Sequence, residues 1–538
     1  MQIMLQKAYS ENTSSLFCIT SGLSVGPLIL RFRMSTSKNT DPFSTEHLHA
    51  DLKGRSVRGG VVTVTSQVLQ FSVLTISTVV LAHLLTPRDF GLVAMVTGIT
   101  GLAQSFADLG LSEATIQRPD INHQQVTNLF WINVAIGLGL TLLTIACAPL
   151  LAWFYREPQV RNIALAVSPV FFICGLRVQH DALLKRQMRF TALAIRDAII
   201  CLVAVPIAIF SAMHGAGYWA IVILPLVLNF TAVVQSWLMV RWRPGLPKRG
   251  VEIRKLISFG GDVAASYLIL TAARSMDNVL IGWYWGAGPL GLYSRAYNLL
   301  MIPIRQLSGP AFSVAVPGFS IIQSDRERLA HYYLRAVSIL VWIATPIFGF
   351  LFVCASPIIL LALGNRWNDA APVFEILVIG ALGQLLIQPT IWLMVGKGDT
   401  RRLRNLLSIV AVIIISSFAI GLPFGAKGVA VMGSTVLMAI LPWVLKFSFR
   451  DTPLTLRRFW GAVYCPIAVC LGGIALAEIT LRVWKPTDAL LQLVAAGLSF
   501  AVVYAISLFI PAARKDLMTV VSVFSRRKAT TTPTVVAG

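Results

Sequence analysis

The chain has 538 residues, of which 56% are hydrophobic and 13% charged, and its mean hydropathy is +0.74. This apolar fraction exceeds what a soluble core can hide, and it is gathered in runs of about 20 residues, long enough to cross a bilayer. The net charge of +22 does not indicate nucleic-acid binding, because the basic residues lie between the apolar runs, where they suit an anionic cytoplasmic membrane surface. We therefore expect an all-α polytopic membrane protein.

The seven cysteines lie mostly inside the apolar runs, and the sequence has neither a CxxC pair nor a His/Cys cluster. Zinc sites and disulfide frameworks depend on such spacings. We therefore expect no metal site and no cofactor.

Fourteen apolar spans follow residues 1–56, which are polar and mixed. Their approximate limits are 59–84, 89–110, 127–151, 160–178, 190–212, 216–240, 256–283, 289–310, 334–356, 371–395, 403–424, 427–447, 459–480 and 488–511. Each is long enough, or nearly long enough, for a membrane-spanning helix.

Along the chain, loops rich in Lys and Arg alternate with loops that are poor in them. This is typical of membrane proteins, whose cytoplasmic loops are rich in Lys and Arg. With the N-terminus in the cytoplasm, most of the 45 Lys and Arg residues fall on the cytoplasmic side. The opposite side holds Arg88, Arg156, Arg161, Arg366, Lys427, Arg482 and Lys485. A wrong span count would scramble this alternation, so we expect fourteen helices with both termini cytoplasmic.

The beginning of the chain repeats about 200 residues later. Gly59-Gly60 heads the first span as Gly260-Gly261 heads the seventh, and residues 86–92 correspond to residues 287–292. Two six-helix lobes of the same orientation follow from this repeat, an architecture typical of alternating access around a midplane site. The expected division is 1–56 cytoplasmic tail, 57–250 first lobe, 251–450 second lobe, 451–512 two additional transmembrane helices and 513–538 cytoplasmic tail.

Several short motifs, taken as a set, resemble one family. In the first lobe they are Phe90-Gly91-Leu92, Phe106-Ala107-Asp108-Leu109-Gly110-Leu111, Ile116-Gln117-Arg118 and Asn128-Leu129-Phe130-Trp131-Ile132-Asn133. In the second lobe they are Gly288-Pro289-Leu290-Gly291-Leu292-Tyr293-Ser294-Arg295-Ala296-Tyr297-Asn298, Pro317-Gly318-Phe319-Ser320-Ile321-Ile322-Gln323 and Leu363-Gly364-Asn365-Arg366-Trp367. The set is similar to the polysaccharide-transport flippases of the colanic-acid exporter type, in the multidrug/oligosaccharidyl-lipid/polysaccharide exporter superfamily.

This resemblance covers roughly residues 50–450. It implies a fold of two six-helix lobes and a role in turning undecaprenyl-diphosphate-linked sugar repeat units from the inner to the outer leaflet of a bacterial inner membrane. The purpose would be exopolysaccharide or lipopolysaccharide synthesis, with polysaccharide polymerase and export proteins as partners.

Charged residues inside the seventh and eighth spans are the candidate site residues, because a charge at membrane depth is costly unless it faces a partner or water. Arg274 and Arg295 are the expected ligands of a diphosphate, since a guanidinium stays charged and meets phosphate oxygens bidentately. Tyr293, Tyr297 and Asn298 are expected to line the sugar path beside them.

Asp277 lies three residues from Arg274, on the same helical face. It would either hold the guanidinium or bind a coupling proton or sodium ion. The alternative for this pair is a purely structural ion pair between helices. Glu375, in the tenth span, is the second candidate for ion coupling.

Two other functional classes are considered. A membrane enzyme would need a large outer loop or an intramembrane acid/base pair, and the sequence indicates neither. A cation-coupled multidrug or small-molecule antiporter of the same superfamily would favour an acidic cavity over one that carries arginine. It is the alternative function.

Overall fold

A computed structural model describes residues 52–104, 111–117, 121–240, 242–248, 275–511 and 513–514. Regular secondary structure in these ranges is helical throughout. The helices are α1 (Leu52–Leu84), α2 (Pro87–Gln104), α3 (Leu111–Gln117), α4 (His123–Tyr155), α5 (Pro158–Val167), α6 (Pro169–Arg186), α7 (Phe190–Met213), α8 (Tyr218–Met239), α9 (275–285), α10 (Ala287–Ile321), α11 (Arg326–Val353), α12 (Ala355–Leu363), α13 (Ala371–Gly396), α14 (Thr400–Gly421), α15 (Gly425–Phe449), α16 (Leu456–Trp484) and α17 (Ala489–Ser507), with 3₁₀ helices at Asn365–Ala370 and Leu422–Phe424.

Eleven segments of the described chain are long and apolar enough to cross a membrane. One of them, Thr400–Phe449, contains both α14 and α15. Helix α2 coincides with most of the second predicted span, whereas most of the seventh span lies outside the described residues. The prediction of an all-α multi-pass membrane protein is confirmed, and the count of fourteen spans stays a prediction.

Local sequence sets several helix ends. The Asn122 side chain accepts a hydrogen bond from the Gln125 backbone N–H at 2.8 Å, and the Gln125 side chain accepts one from the Asn122 N–H at 3.1 Å. This reciprocal capping box starts α4. Pro158 and Pro169 occupy the first turn of α5 and α6. A backbone N–H in the first turn has no acceptor within the helix, so proline, which lacks the N–H, costs no helical hydrogen bond there.

The helices pack in two groups. In the first group α1 packs on α7, α4 on α6, and α7 on α8. In the second group α10 packs on α13, and α15 packs on both α13 and α14. Helices α16 and α17 pack on each other and on α11. This grouping follows the two predicted lobes, whose residue boundaries remain a prediction.

The two groups meet where α2 packs on α10, and glycine makes the close approach possible. A Cβ added at Gly91 would lie 1.7 Å from the carbonyl oxygen of Ala287, and one added at Gly291 would lie 1.8 Å from the carbonyl oxygen of Pro87. Only glycine allows backbones this close. These reciprocal contacts join the two copies of the repeat. We call Pro87, Gly91, Ala287 and Gly291 the glycine contact, and it lies at the end of the helices predicted to face outside.

A second link between the groups lies beside the glycine contact. Trp367, in the 3₁₀ helix before α13, is fully buried, and its Nε1 donates a hydrogen bond to the carbonyl oxygen of Ala82 in α1 at 2.9 Å. Its ring meets the Phe90 ring of α2 edge-on, with centroids 5.4 Å apart. The motif that ends in Trp367 therefore has a structural role, because it joins the second group of helices to the first.

Candidate functional site

The residues predicted to bind substrate divide between two faces of α10. At 3.6 residues per turn, Arg295 and Asn298 lie within about 40° of Gly291, on the side that contacts α2, whereas Tyr293 and Tyr297 lie about 120° or more away from it. Tyr293 and Tyr297 lie on the other side, where they face a cavity inside the second group of helices. The sequence predicted these four residues as one set, and the helix separates them into two pairs.

The cavity behind Tyr293 and Tyr297 has a volume of about 170 Å³, and most of its lining is apolar. Asp277, from α9, is buried in its wall and 2% exposed. The Asp277 carboxylate accepts a hydrogen bond from the Tyr293 hydroxyl at 3.0 Å and one from the Asn278 backbone N–H at 2.7 Å. The two tyrosine rings stack nearly parallel, with centroids 6.3 Å apart.

A carboxylate in such a cavity requires a proton, a cation or further donors, because an isolated buried charge is costly. Asp277 and the Tyr293 hydroxyl supply oxygen atoms, which are the ligands that hard cations prefer. Arg274, the predicted partner of Asp277, lies outside the described residues. The ion pair and the ion site at Asp277 therefore stay predictions.

Two glutamines that sequence reasoning missed also line this cavity. Gln384 and Gln388 lie one turn apart on α13 and are half-buried. Two amides four residues apart share a helical face, so their recurrence in an apolar span was the available signal. They add polar groups to the wall that α13 contributes to the cavity.

Arg295 lies on the opposite face of α10, at the junction of the two groups. The carbon of its guanidinium is 4.5 Å from the centroid of the Phe90 ring on α2, a cation–π contact. Its Nε is buried without an acceptor, and within the described ranges no ion pair or hydrogen bond reaches this side chain. Arg295 is eight residues from the start of α10, or about 12 Å along the helix. A cation left unpaired at this depth favours an anionic ligand.

The remaining predicted residues are placed differently. Asn298 is exposed, one turn beyond Arg295. Glu375 is exposed near the start of α13 and does not line the cavity, so the structure does not bring it together with Asp277.

A second polar cluster lies in the first group of helices, between α6, α7 and α8. Asp181 pairs with Arg196 and with Arg177, the latter at 3.3 Å. Asp181 also accepts a hydrogen bond from the Ser236 hydroxyl at 2.8 Å. These charges compensate one another, which favours a structural role for the cluster.

Comparison with known proteins identifies the family. The sequence model of the family described as "Polysaccharide biosynthesis protein" matches residues 80–372, more than half of the chain. The chain belongs to this polysaccharide biosynthesis family. The resemblance found from the short motifs is thereby confirmed.

Relatives from two bacteria are similar over most of their length. The teichuronic acid biosynthesis protein TuaB of Bacillus subtilis (strain 168) is 26% identical over 370 residues, which cover 66% of this chain and 73% of TuaB. The lipopolysaccharide biosynthesis protein WzxC of Escherichia coli (strain K12) is 24% identical over 446 residues, which cover 80% of this chain and 89% of WzxC.

A solved structure shows the fold of this polysaccharide biosynthesis protein. The lipid II flippase MurJ, in an inward closed conformation, superposes with a TM-score of 0.68 over 86% of this chain and 100% of MurJ. The sequence identity is 14%, so the likeness establishes the fold alone. The chain therefore has a MurJ-like fold.

Proposed function

We propose that this protein is a flippase that moves undecaprenyl-diphosphate-linked polysaccharide repeat units to the outer leaflet of a bacterial inner membrane, with both termini in the cytoplasm. Relatives named for teichuronic acid and lipopolysaccharide biosynthesis support this, as does the fold shared with a lipid II flippase. The observation that carries the proposal is the buried guanidinium of Arg295 between the two groups of helices, which has no ion pair within the described ranges.

Arg295 is the proposed ligand of the diphosphate. A diphosphate carries negative charge through an apolar protein, and a guanidinium offers it a fork of donors that cannot lose its proton. Asn298 lies on the same face of α10 and would contact the sugar next to the diphosphate. Arg274, a prediction from the sequence, would be the second diphosphate ligand.

The cavity that contains Asp277 is the proposed site of the coupling proton or sodium ion. Tyr293 bonds to Asp277 on one face of α10, and Arg295 lies two residues away on the other face. A shift or rotation of α10 would change the surroundings of both sites together. Coupling between an ion and a substrate requires an element with two positions. The ion and the substrate must each bind more tightly when the element is in one of these positions than in the other. Glu375 is the less favoured candidate, because it is exposed and does not line the cavity.

The test of the proposal is to remove the Arg295 charge. Arg295→Leu should abolish export with the protein still present in the membrane, because no described residue would lose an ion pair or a hydrogen bond. Arg295→Lys should keep part of the export, since it retains the charge and loses the bidentate fork. The matched control is Arg305→Leu, which removes an exposed arginine from the same helix and should leave export unchanged. Normal export by Arg295→Leu at normal membrane level would end the proposal.

A cation-coupled multidrug antiporter is the second candidate, because a buried carboxylate in an apolar cavity also suits an organic cation. The two functions are separated by measuring transport of cationic dyes and of lipid-linked oligosaccharide with the same purified protein. The antiporter predicts dye transport that depends on Asp277 and not on Arg295. The flippase predicts oligosaccharide transport that depends on Arg295.

A further inference from the structure

A second concave site lies away from the cavity, at the end of the helices predicted to face outside. It is a wide groove of about 1050 Å³ between the end of α4, the start of α5 and the end of α9. Aromatic rings from two of these helices line it, and the Phe154 and Trp283 rings stack with centroids 6.1 Å apart. Arg156 and Arg161 supply its charge.

The two arginines of the groove are exposed and carry positive charge that the described residues do not neutralise. Neither Arg156 nor Arg161 makes an ion pair or a side-chain hydrogen bond within the described ranges. The nearby carboxylate, Glu157, instead pairs with Arg88 at 3.1 Å. The groove therefore presents two exposed guanidinium groups beside aromatic rings.

The groove is continuous with an apolar surface on α4. Large apolar side chains are exposed along one face of this helix, and they recur at helical spacing: Trp131, Leu138, Leu142, Ile145 and Trp153. In a membrane protein such a face lies against lipid tails. The last residue of this stripe, Trp153, is also part of the groove. The groove therefore lies where the lipid-facing surface ends, at the depth of the headgroups.

We infer that this groove binds the headgroup of an anionic phospholipid, with the phosphate on Arg156 and Arg161 and the acyl chains along the exposed face of α4. The charge of the groove selects the headgroup, because guanidinium groups bond phosphate oxygens bidentately. The aromatic side chains suit the interface between headgroups and tails. This site is separate from the proposed diphosphate ligand, so it does not depend on the substrate proposed above.

The backbone at Arg156 allows a variant that removes one charge without harming the fold. Arg156 caps α4 in the left-handed conformation, with φ 56° and ψ 29°. Glycine is the usual residue in this conformation, since it has no Cβ to strain. Arg156→Gly should therefore preserve or stabilise the end of α4 while it removes the guanidinium.

The test measures lipid preference at the groove. A cysteine introduced at Asn162, which lines the groove and is exposed, carries a bimane fluorophore, and the signal from protein without this cysteine is subtracted. The protein is reconstituted in phosphatidylcholine that contains a small fraction of nitroxide-labelled phosphatidylglycerol or nitroxide-labelled phosphatidylcholine. Each arginine near the membrane surface contributes about 1 kcal/mol of attraction for anionic lipid. Since about 1.4 kcal/mol corresponds to a tenfold change in affinity, two arginines should give a roughly 30-fold preference for the anionic lipid at low salt.

The charge variants separate this site from general attraction to the membrane surface. The double variant Arg156→Gly, Arg161→Gln should lose the preference, whereas Lys427→Gln, at the same end of the helices and outside the groove, should keep it. Equal quenching by both lipids in the wild type would overturn the inference, as would an unchanged preference in the double variant.

Undecaprenyl diphosphate, added at the same fraction, should not abolish the quenching. If it does, the groove holds the prenyl diphosphate instead, and the assignment to phospholipid is wrong.

Discussion

The glycine contact predicts a change of conformation from a single methyl group. Gly91→Ala places a Cβ 1.7 Å from the Ala287 carbonyl oxygen and 2.5 Å from its carbon. Ordinary contacts at a Cβ are 3.4 Å or longer. Helices α2 and α10 would therefore have to separate by about 1.5–2 Å, and overpacking of this kind costs about 1–3 kcal/mol.

If the glycine contact exists only while this end of the transporter is closed, that cost falls on the closed state alone. A difference of about 1–3 kcal/mol multiplies the ratio of open to closed protein by roughly 5 to 150. Gly291→Ala should act in the same direction, because its Cβ would lie 1.8 Å from the Pro87 carbonyl oxygen.

The assay is the rate at which a membrane-impermeant thiol reagent labels an introduced cysteine from outside. Asn298→Cys is a suitable reporter, because residue 298 is exposed and lies on the face of α10 that carries Gly291, about 10 Å further along the helix. Labelling should become faster in Gly91→Ala and in Gly291→Ala.

Two glycines provide matched controls for this assay. Gly101 on α2 and Gly288 on α10 have no heavy atom within 4 Å of an added Cβ, so alanine at either position should leave labelling unchanged. If Gly91→Ala labels at the same rate as Gly101→Ala, with both proteins folded, the glycine contact does not hold this end closed and the reasoning is refuted.

Three further predictions follow from the fold and the site. Asp277→Asn should make export independent of the ion gradient, whereas Glu375→Gln, outside the cavity, should keep the dependence; transport with the gradient collapsed distinguishes them. Trp367→Ala should destabilise the protein by about 3–5 kcal/mol, because it removes a fully buried ring and leaves the Ala82 carbonyl without its hydrogen-bond donor. Thermal unfolding in detergent measures this loss of stability. A cysteine at Lys427 should be labelled from outside in intact cells and one at Thr400 should not, and the reverse result would invert the orientation.

The helices were predictable from the sequence, because membrane spans are set by length and hydropathy, which are local properties. The packing of α2 on α10 was predictable only in part. The repeat indicated that Gly91 and Gly291 correspond, but it did not show that each lies against the backbone of the other copy. That contact depends on how two helices cross, which a single sequence does not encode locally.

The site was predictable as a list of residues and not as an arrangement. Arg295, Tyr293 and Tyr297 were identified because polar groups in a span are costly, yet the cost is the same on either face of a helix. Helical spacing alone would have separated Arg295 from the tyrosines. It would not have shown that the tyrosines face Asp277, because that requires the position of a neighbouring helix. Gln384 was missed because an uncharged amide is a weaker signal than a charge.

The most direct test of the proposed function is translocation by the purified protein. Proteoliposomes would contain a fluorescent undecaprenyl-diphosphate-linked oligosaccharide, and the sugar that reaches the outer face would be measured by its accessibility to an added lectin. We expect translocation that is much faster than in protein-free vesicles, is lost in Arg295→Leu and is kept in Arg305→Leu. Translocation no faster than in protein-free vesicles, under either a proton or a sodium gradient, would contradict the proposed flippase.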